Sequence, residues 1–243
     1  MFCWTLHLDG GPKRGDQAAV SSGHKVYFFG GSGSNETHNM GQIDVHVFNT
    51  VSLLWRKLPP VTPGREEGQL EVPSQRWGHT AVLIEDMAYI WGGRNNKRQY
   101  CNNALHAFDV DTHSWFKPRV SGAVPKGRCY HSACVLGNVM YIFGGCINLV
   151  RTNELYKLDT ATMVWSLMNT RGTKPLAAST PSATIIGTKM FVFGGEGERY
   201  YHNTIRVFDV ENNLWMNTAS AHLYPQVHLC KSIFNYNREL YLV

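Results

Sequence analysis

The sequence predicts an all-β repeat protein, a β-propeller of small stacked sheets, and three observations predict it. A strand-like aromatic run ending in two glycines occurs four times: Tyr27-Phe28-Phe29-Gly30-Gly31, Tyr89-Ile90-Trp91-Gly92-Gly93, Tyr141-Ile142-Phe143-Gly144-Gly145 and Phe191-Val192-Phe193-Gly194-Gly195. A polar loop follows each, and then a second apolar run with Asn or Asp: Val47-Phe48-Asn49, Ala107-Phe108-Asp109, Lys157-Leu158-Asp159 and Val207-Phe208-Asp209. Six residues after each Asn or Asp stands a tryptophan, at Trp55, Trp115, Trp165 and Trp215.

The tryptophans lie 60, 50 and 50 residues apart, a period and punctuation that match the kelch blade rather than the WD40 blade. Each unit supplies four short antiparallel strands, and a lone blade cannot bury both faces, so neighbours must stack. Aromatic and β-branched residues before the glycines suit a buried strand. The glycines Gly30, Gly31, Gly92, Gly93, Gly144, Gly145, Gly194 and Gly195 allow positive φ and close backbone approach at the strand end. The tryptophans fill space between blades.

Taken in order, the elements are a strand at 3–8, blades at about 14–58, 76–118, 128–168 and 178–218, and a partial blade at 228–243. Trp4-Thr5-Leu6-His7-Leu8 resembles the strands that start at Trp55 and Trp165 but has no first three strands before it. It is expected to supply the outer strand of the last blade and to remove a free sheet edge. By alignment with the earlier copies, Glu239-Leu240-Tyr241-Leu242-Val243 should be followed by two glycines. The single domain 1–243 is therefore expected to be a truncated propeller of about four and a half blades.

Composition narrows the function classes. A net charge of +5 is spread along the chain without a block of like charges, which argues against a nucleic-acid arm. The segment from Met1 to Asp9 is not expected to be a secretory leader, and no apolar run approaches a membrane span. The six cysteines form no CxxC pair and are expected to be reduced thiols of a cytoplasmic or nuclear protein. Asn35-Glu36-Thr37 fits a glycosylation sequon that is not expected to be used. Gly31-Ser32-Gly33-Ser34 does not complete a nucleotide fingerprint. There is no P-loop, HExxH or GxSxG, the histidines lack metal-ligand spacing, and no carboxylate pair recurs. A non-catalytic binding module without cofactor or metal is the expectation.

A binding site is expected where the loop before the first strand and the loop after the second share one face of the propeller. Arg76-Trp77-Gly78-His79 and Arg128-Cys129-Tyr130-His131 open two blades, each histidine 13 residues before its glycine pair. The loops after the glycines add Arg94, Lys97, Arg98, Arg151 and Arg199. The candidate peptide-binding set is thus Arg76, Trp77, Arg94, Arg128, Tyr130, Arg151 and Arg199. Arginine forks onto carboxylates and aromatic walls pack a peptide backbone, so an acidic group or a C-terminal carboxylate would suit this mouth. Arg76 and Arg128 fit a second role equally well, pinning neighbouring blades through hydrogen bonds. His79 and His131 read as packing residues.

Three further stretches are more specific than the blade consensus: Trp4 through Pro12, Gln42 through Asn49 and Trp115 through Gly122. On these the chain resembles a family of kelch-repeat substrate receptors of cullin–RING ubiquitin ligases. The resemblance implies a six-bladed propeller, attachment through elongins B and C, and capture of proteins that end in a C-terminal glycine degron, whose carboxylate arginines would hold. It also implies an association with chromatin and meiotic cells, and so an alternative as an interaction scaffold without degron binding. The chain departs from the pattern in three places. Ala178-Ser179-Thr180-Pro181 stands where a third Arg-x-x-His would fall, His228-Leu229-Cys230-Lys231 stands at that position in the fifth blade, and Glu196 stands where the family carries an arginine after the fourth glycine pair. An acid there is expected to repel a carboxylate. The ligase-docking segment that follows the propeller in such receptors is expected to be missing.

Overall fold

The computed structural model describes residues 11–33, 41–61, 72–95, 101–216, 233–236 and 239–242. The strand expected at 3–8, the sequon at Asn35, and Lys97 and Arg98 lie outside the described residues. No helix occurs among the described residues.

The first sheet orders β1 (Ala18–Ser22), β2 (Lys25–Phe29), β3 (Val45–Asn49) and β4 (Trp55–Lys57) as neighbours, all antiparallel. The second repeats this with β5 (Trp77–Ile84), β6 (Met87–Arg94), β7 (His106–Asp109) and β8 (Trp115–Phe116). After β8 the chain forms β9 (Ser121–Gly122), which leaves its own blade and pairs in parallel with the outer strand of the next. That third sheet contains β10 (Ser132–Leu136), β11 (Val139–Phe143), β14 (Leu155–Asp159) and β15 (Val164–Leu167). A small ribbon of β12 (Cys146–Ile147) and β13 (Val150–Arg151) sits in its β11–β14 connection. The fourth sheet is built likewise: β16 (Arg171–Gly172) from the preceding connection covers the edge of β20 (Leu214–Met216), outside β17 (Ser182–Ile186), β18 (Lys189–Phe193) and β19 (Ile205–Asp209). A last hairpin, β21 (Ile233–Tyr236) with β22 (Glu239–Leu242), follows.

The innermost strands stand side by side in the order β1, β5, β10, β17, β21, which sets the blades around one axis. Three repeated local devices explain why the sequence folds this way. The Asn or Asp at the end of each third strand caps the hairpin to the fourth. Asn49 Oδ1 accepts hydrogen bonds from the amides of Val51 and Ser52 at 2.9 Å each, and Asp109 Oδ1 does the same for Asp111 and Thr112 at 2.8 and 2.9 Å. The tryptophan then turns inward onto the preceding blade. Trp115 packs on Phe29, Trp165 on Trp91 and Trp215 on Phe143, with ring centroids 5.9, 5.6 and 5.5 Å apart. Those three indoles are fully buried, whereas Trp55 is half-buried against Phe28 and Phe48 of its own sheet.

The glycine pairs stitch one blade to the next. The amides of Gly31, Gly93 and Gly145 donate to the carbonyls of Arg76, Arg128 and Ala178 in the following blade, at 2.8, 2.9 and 2.8 Å. A side chain at the first glycine of the pair would block that approach. A Cβ on Gly30 would lie 2.5 Å from the Arg76 carbonyl oxygen, and one on Gly92 would lie 2.7 Å from that of Arg128. Both glycines hold positive φ, 62° and 76°.

Candidate functional site

The mouth of the propeller is built from one cross-strand pair per blade, each bringing the residue after a glycine pair beside the residue after the Arg position. The four pairs are Gly15 with Ser32, Trp77 with Arg94, Cys129 with Cys146, and Ser179 with Glu196. The next residue of each blade, Asp16, Gly78, Tyr130 or Thr180, takes a left-handed backbone with φ of 54°, 64°, 57° and 55°. This conformation turns the peptide units toward the neighbouring blade. Gly78 N–H donates to the Asp16 carbonyl, Tyr130 N–H to that of Gly78, and Thr180 N–H to that of Tyr130, at 3.0, 2.7 and 2.7 Å. A chain of backbone hydrogen bonds thus runs along the rim and fixes four chemically different pairs at equivalent places.

The second and third pairs assemble the feature best suited to a ligand. The guanidinium of Arg94 lies over the Trp77 ring at 5.4 Å and near the Tyr130 ring at 6.0 Å from the centroids. Tyr130 donates its hydroxyl to Asp16 Oδ2 at 3.3 Å, which fixes the ring. Arg94 is exposed, and among the described residues no carboxylate pairs with it. Beside it opens a cavity of about 320 Å³, walled by Arg94, Tyr130, Cys101, Cys146, Arg151 and Glu196 among others. Arg stacking on aromatic faces stays free to donate in its own plane, the geometry that a carboxylate takes up.

Across this cavity, Arg151 donates to Glu196 at 2.6 Å, and Glu196 also accepts from the Ser179 hydroxyl at 3.2 Å. Glu196 does stand at the mouth, but its charge is spent on Arg151. The acid therefore occupies an arginine rather than acting as a lone repulsive charge.

Arg76 and Arg128 depart from the expectation that they face a ligand. They are 2% and 0% exposed. Arg76 Nη1 donates to the Gly92 carbonyl and Arg128 Nη1 to that of Gly144, each at 3.2 Å, and Arg128 also pairs with Glu154 at 2.8 Å. Their own carbonyls receive the glycine amides of the previous blade, so both arginines pin blades together. Burial pulls the Arg76 pKa down to about 10, which leaves it charged. His79 and His131 are buried beside them. Burial and the adjacent Arg76 hold His79 down to about 3, and burial with Arg128 and His79 pushes His131 well below the usual histidine range. His131 sits edge-on to Trp91 and shares a 2.8 Å hydrogen bond with Thr80, which is packing and not catalysis. Arg199 is exposed on the β18–β19 connection and does not line the cavity.

The structure therefore brings together Trp77, Arg94, Tyr130 and Arg151 from the sequence-derived set, withdraws Arg76 and Arg128 into the core, and leaves Arg199 apart. Sequence reading missed Cys101, Cys129 and Cys146 as cavity walls and Asp16 as the support of Tyr130. The signal for Asp16 was present, because Arg14-Gly15-Asp16-Gln17 is the first blade's form of the Arg-x-x-His segment. A larger hollow of about 490 Å³ lies among the outer strands of the first two blades, lined by Arg56, Pro59, Pro60 and Trp115, and contains none of the rim pairs. Among the described residues no cluster of histidine, cysteine or carboxylate side chains is arranged to hold a metal ion, and no helix is long and apolar enough to cross a membrane.

Comparison with known proteins agrees with this architecture. The family described as the KLHDC2/KLHL20/DRC7 Kelch-repeats domain matches residues 12–243. Kelch domain-containing protein 3 from Rattus norvegicus is 48% identical and that from Homo sapiens 47% identical, each over 254 aligned positions that cover 100% of this chain and 66% of the relative. Host cell factor 2 of Homo sapiens is 36% identical over 138 positions, covering 51% of this chain and 16% of that protein. The chain thus spans just under two thirds of the length of the first two relatives.

Proposed function

The chain belongs to the KLHDC2/KLHL20/DRC7 kelch-repeat family, and from that premise we propose that it is a non-catalytic receptor that captures other proteins by their C-terminal carboxylate. The observation that carries this reading is Arg94, charged, exposed and stacked on Trp77 and Tyr130 at the edge of a cavity of about 320 Å³. A carboxylate entering the cavity can accept two in-plane N–H bonds from that fork, while the peptide backbone lies against the aromatic faces. A C-terminal glycine suits the space, because a residue without a side chain lets its carboxylate approach the rim closely.

The resemblance to cullin–RING substrate receptors gives this capture a purpose. The bound protein would be presented for ubiquitination, with elongins B and C linking the receptor to the cullin. Relatives in the family carry chain beyond the matched region, and ligase assembly belongs to that whole-protein reading.

The test is equilibrium binding, by fluorescence anisotropy, of one peptide ending in glycine as the free acid and as the amide. A charge-assisted hydrogen-bond pair is worth about 1.5–3 kcal/mol, so the free acid should bind at least roughly tenfold tighter. Equal affinity for both forms would reject the carboxylate mechanism.

A further inference from the structure

Three of the four described cysteines meet in one wall of the mouth, and all are free thiols. Cys129 and Cys146 form the rim pair of the third blade, joined by backbone hydrogen bonds of 3.1 and 2.8 Å. Cys101 arrives from the β6–β7 connection of the second blade. Its sulfur lies 3.9 Å from the Cys146 carbonyl oxygen, and the Cys129 sulfur lies 3.8 Å from the same atom. The two thiols thus converge on one acceptor, the Cys146 carbonyl oxygen. Both line the cavity, Cys101 half-buried and Cys129 buried.

From this convergence we infer that Cys101 and Cys129 form a peroxide-oxidisable dithiol, a modification site that closes to a disulfide between the second and third blades. The site takes small peroxides, hydrogen peroxide being the simplest. It stands on the thiol geometry alone and does not depend on the carboxylate reading of the mouth.

The division of labour follows from the surroundings. The neighbouring Cys129 thiol and the nearby Arg94 cation pull the Cys101 thiol below its ordinary range, while the neighbouring Cys101 and burial push the Cys129 thiol above it. Cys101 is also the more exposed of these two cavity-lining thiols. Its sulfur attacks one peroxide oxygen, the O–O bond breaks, and water leaves with sulfur oxidised to a sulfenic acid. The Cys129 sulfur then attacks the Cys101 sulfur, the S–O bond breaks, and the Cys129 proton leaves with the hydroxyl as a second water. Two thiols and one peroxide give one disulfide and two waters. Cys146 is the less suitable partner because it meets the two converging thiols with its carbonyl oxygen, and its backbone is tied opposite Cys129 in the rim pair.

The experiment treats the folded chain with hydrogen peroxide, blocks remaining thiols with N-ethylmaleimide under denaturing conditions, and maps tryptic peptides without reductant. The expected product joins the peptide carrying Cys101 to Cys129–Arg151, the tryptic peptide that contains Cys129, Cys134 and Cys146. Cys146→Ser should keep the crosslink and Cys129→Ser should abolish it. Because Cys129 is buried, Cys101→Ser provides a second readout at a more accessible position. There Cys129 should stay reduced and take up N-ethylmaleimide only after denaturation. A crosslink that survives Cys129→Ser, a Cys129–Cys146 disulfide in Cys101→Ser, or oxidation of Cys101 to a sulfinic acid with Cys129 still reduced would each overturn the inference.

Discussion

Substituting alanine for Gly92 should separate the packing role of the glycine pair from its conformational role. The new Cβ would meet His131 Cε1 at 2.6 Å and the Arg128 carbonyl oxygen at 2.7 Å, at a backbone φ of 76°. The carbonyl is the one that accepts the Gly93 amide at 2.9 Å, so it cannot retreat without loosening the stitch between the second and third blades. The left-handed backbone costs an alanine about 1–2 kcal/mol, and overpacking adds about 1–3 kcal/mol. The total is roughly 2–5 kcal/mol, a large part of the ~5–15 kcal/mol that holds a typical domain folded. Gly137 is the control. Its φ is 57°, but a Cβ there meets nothing within 4 Å, so Gly137→Ala should lose only the backbone cost of about 1–2 kcal/mol. Urea titrations followed by tryptophan fluorescence read both midpoints. If the two variants unfold at the same urea concentration, the close approach of blades at Gly92 is not what the glycine pair is for.

Two further outcomes follow from the same geometry. Glu196→Gln frees Arg151 from its 2.6 Å partner, so affinity for a peptide free acid should rise about two- to fivefold, the scale of a half-exposed ion pair, and affinity for the amide should not change; titration of both peptides checks this. Acid should destabilise the fold through the buried histidines. His79 is held down to about 3 and the unfolded side chain titrates near 6.5, so between those values the unfolded chain binds more protons and stability falls as pH falls. Going from pH 7 to pH 5 should remove about 2 kcal/mol through His79, with His131 acting in the same direction, and a flat profile of urea midpoints over that range would contradict the neutral buried state.

The blade architecture was legible because it repeats in sequence. Glycine pairs, Asn or Asp caps and inward tryptophans each do one local job at a fixed spacing, so Gly92, Asp109 and Trp115 could be assigned without coordinates. What escaped was non-local. The parallel clips at Ser121–Gly122 and Arg171–Gly172 carry no strand signature, since two exposed residues gain their partner only when the next blade stands beside them. Arg76 and Arg128 were open to two roles, and only their burial against Gly92 and Gly144 decides for pinning. Glu196 reads as a repulsive charge in sequence because Arg151 is 45 residues away and becomes its partner only through the fold. The thiols at Cys101, Cys129 and Cys146 form no motif, because they come from the connections and edges of two blades.

The claim on which the functional account rests is that Arg94 itself holds a ligand carboxylate. A thermodynamic cycle tests it most directly: one glycine-ended peptide as acid and as amide, each titrated by calorimetry against the parent chain and Arg94→Ala. The account predicts that amidation and the substitution weaken binding by overlapping amounts, with a coupling of about 1.5–3 kcal/mol, so that the amide barely distinguishes the two proteins. Additive losses, with the acid still preferred just as strongly by Arg94→Ala, would place the carboxylate elsewhere and contradict the account.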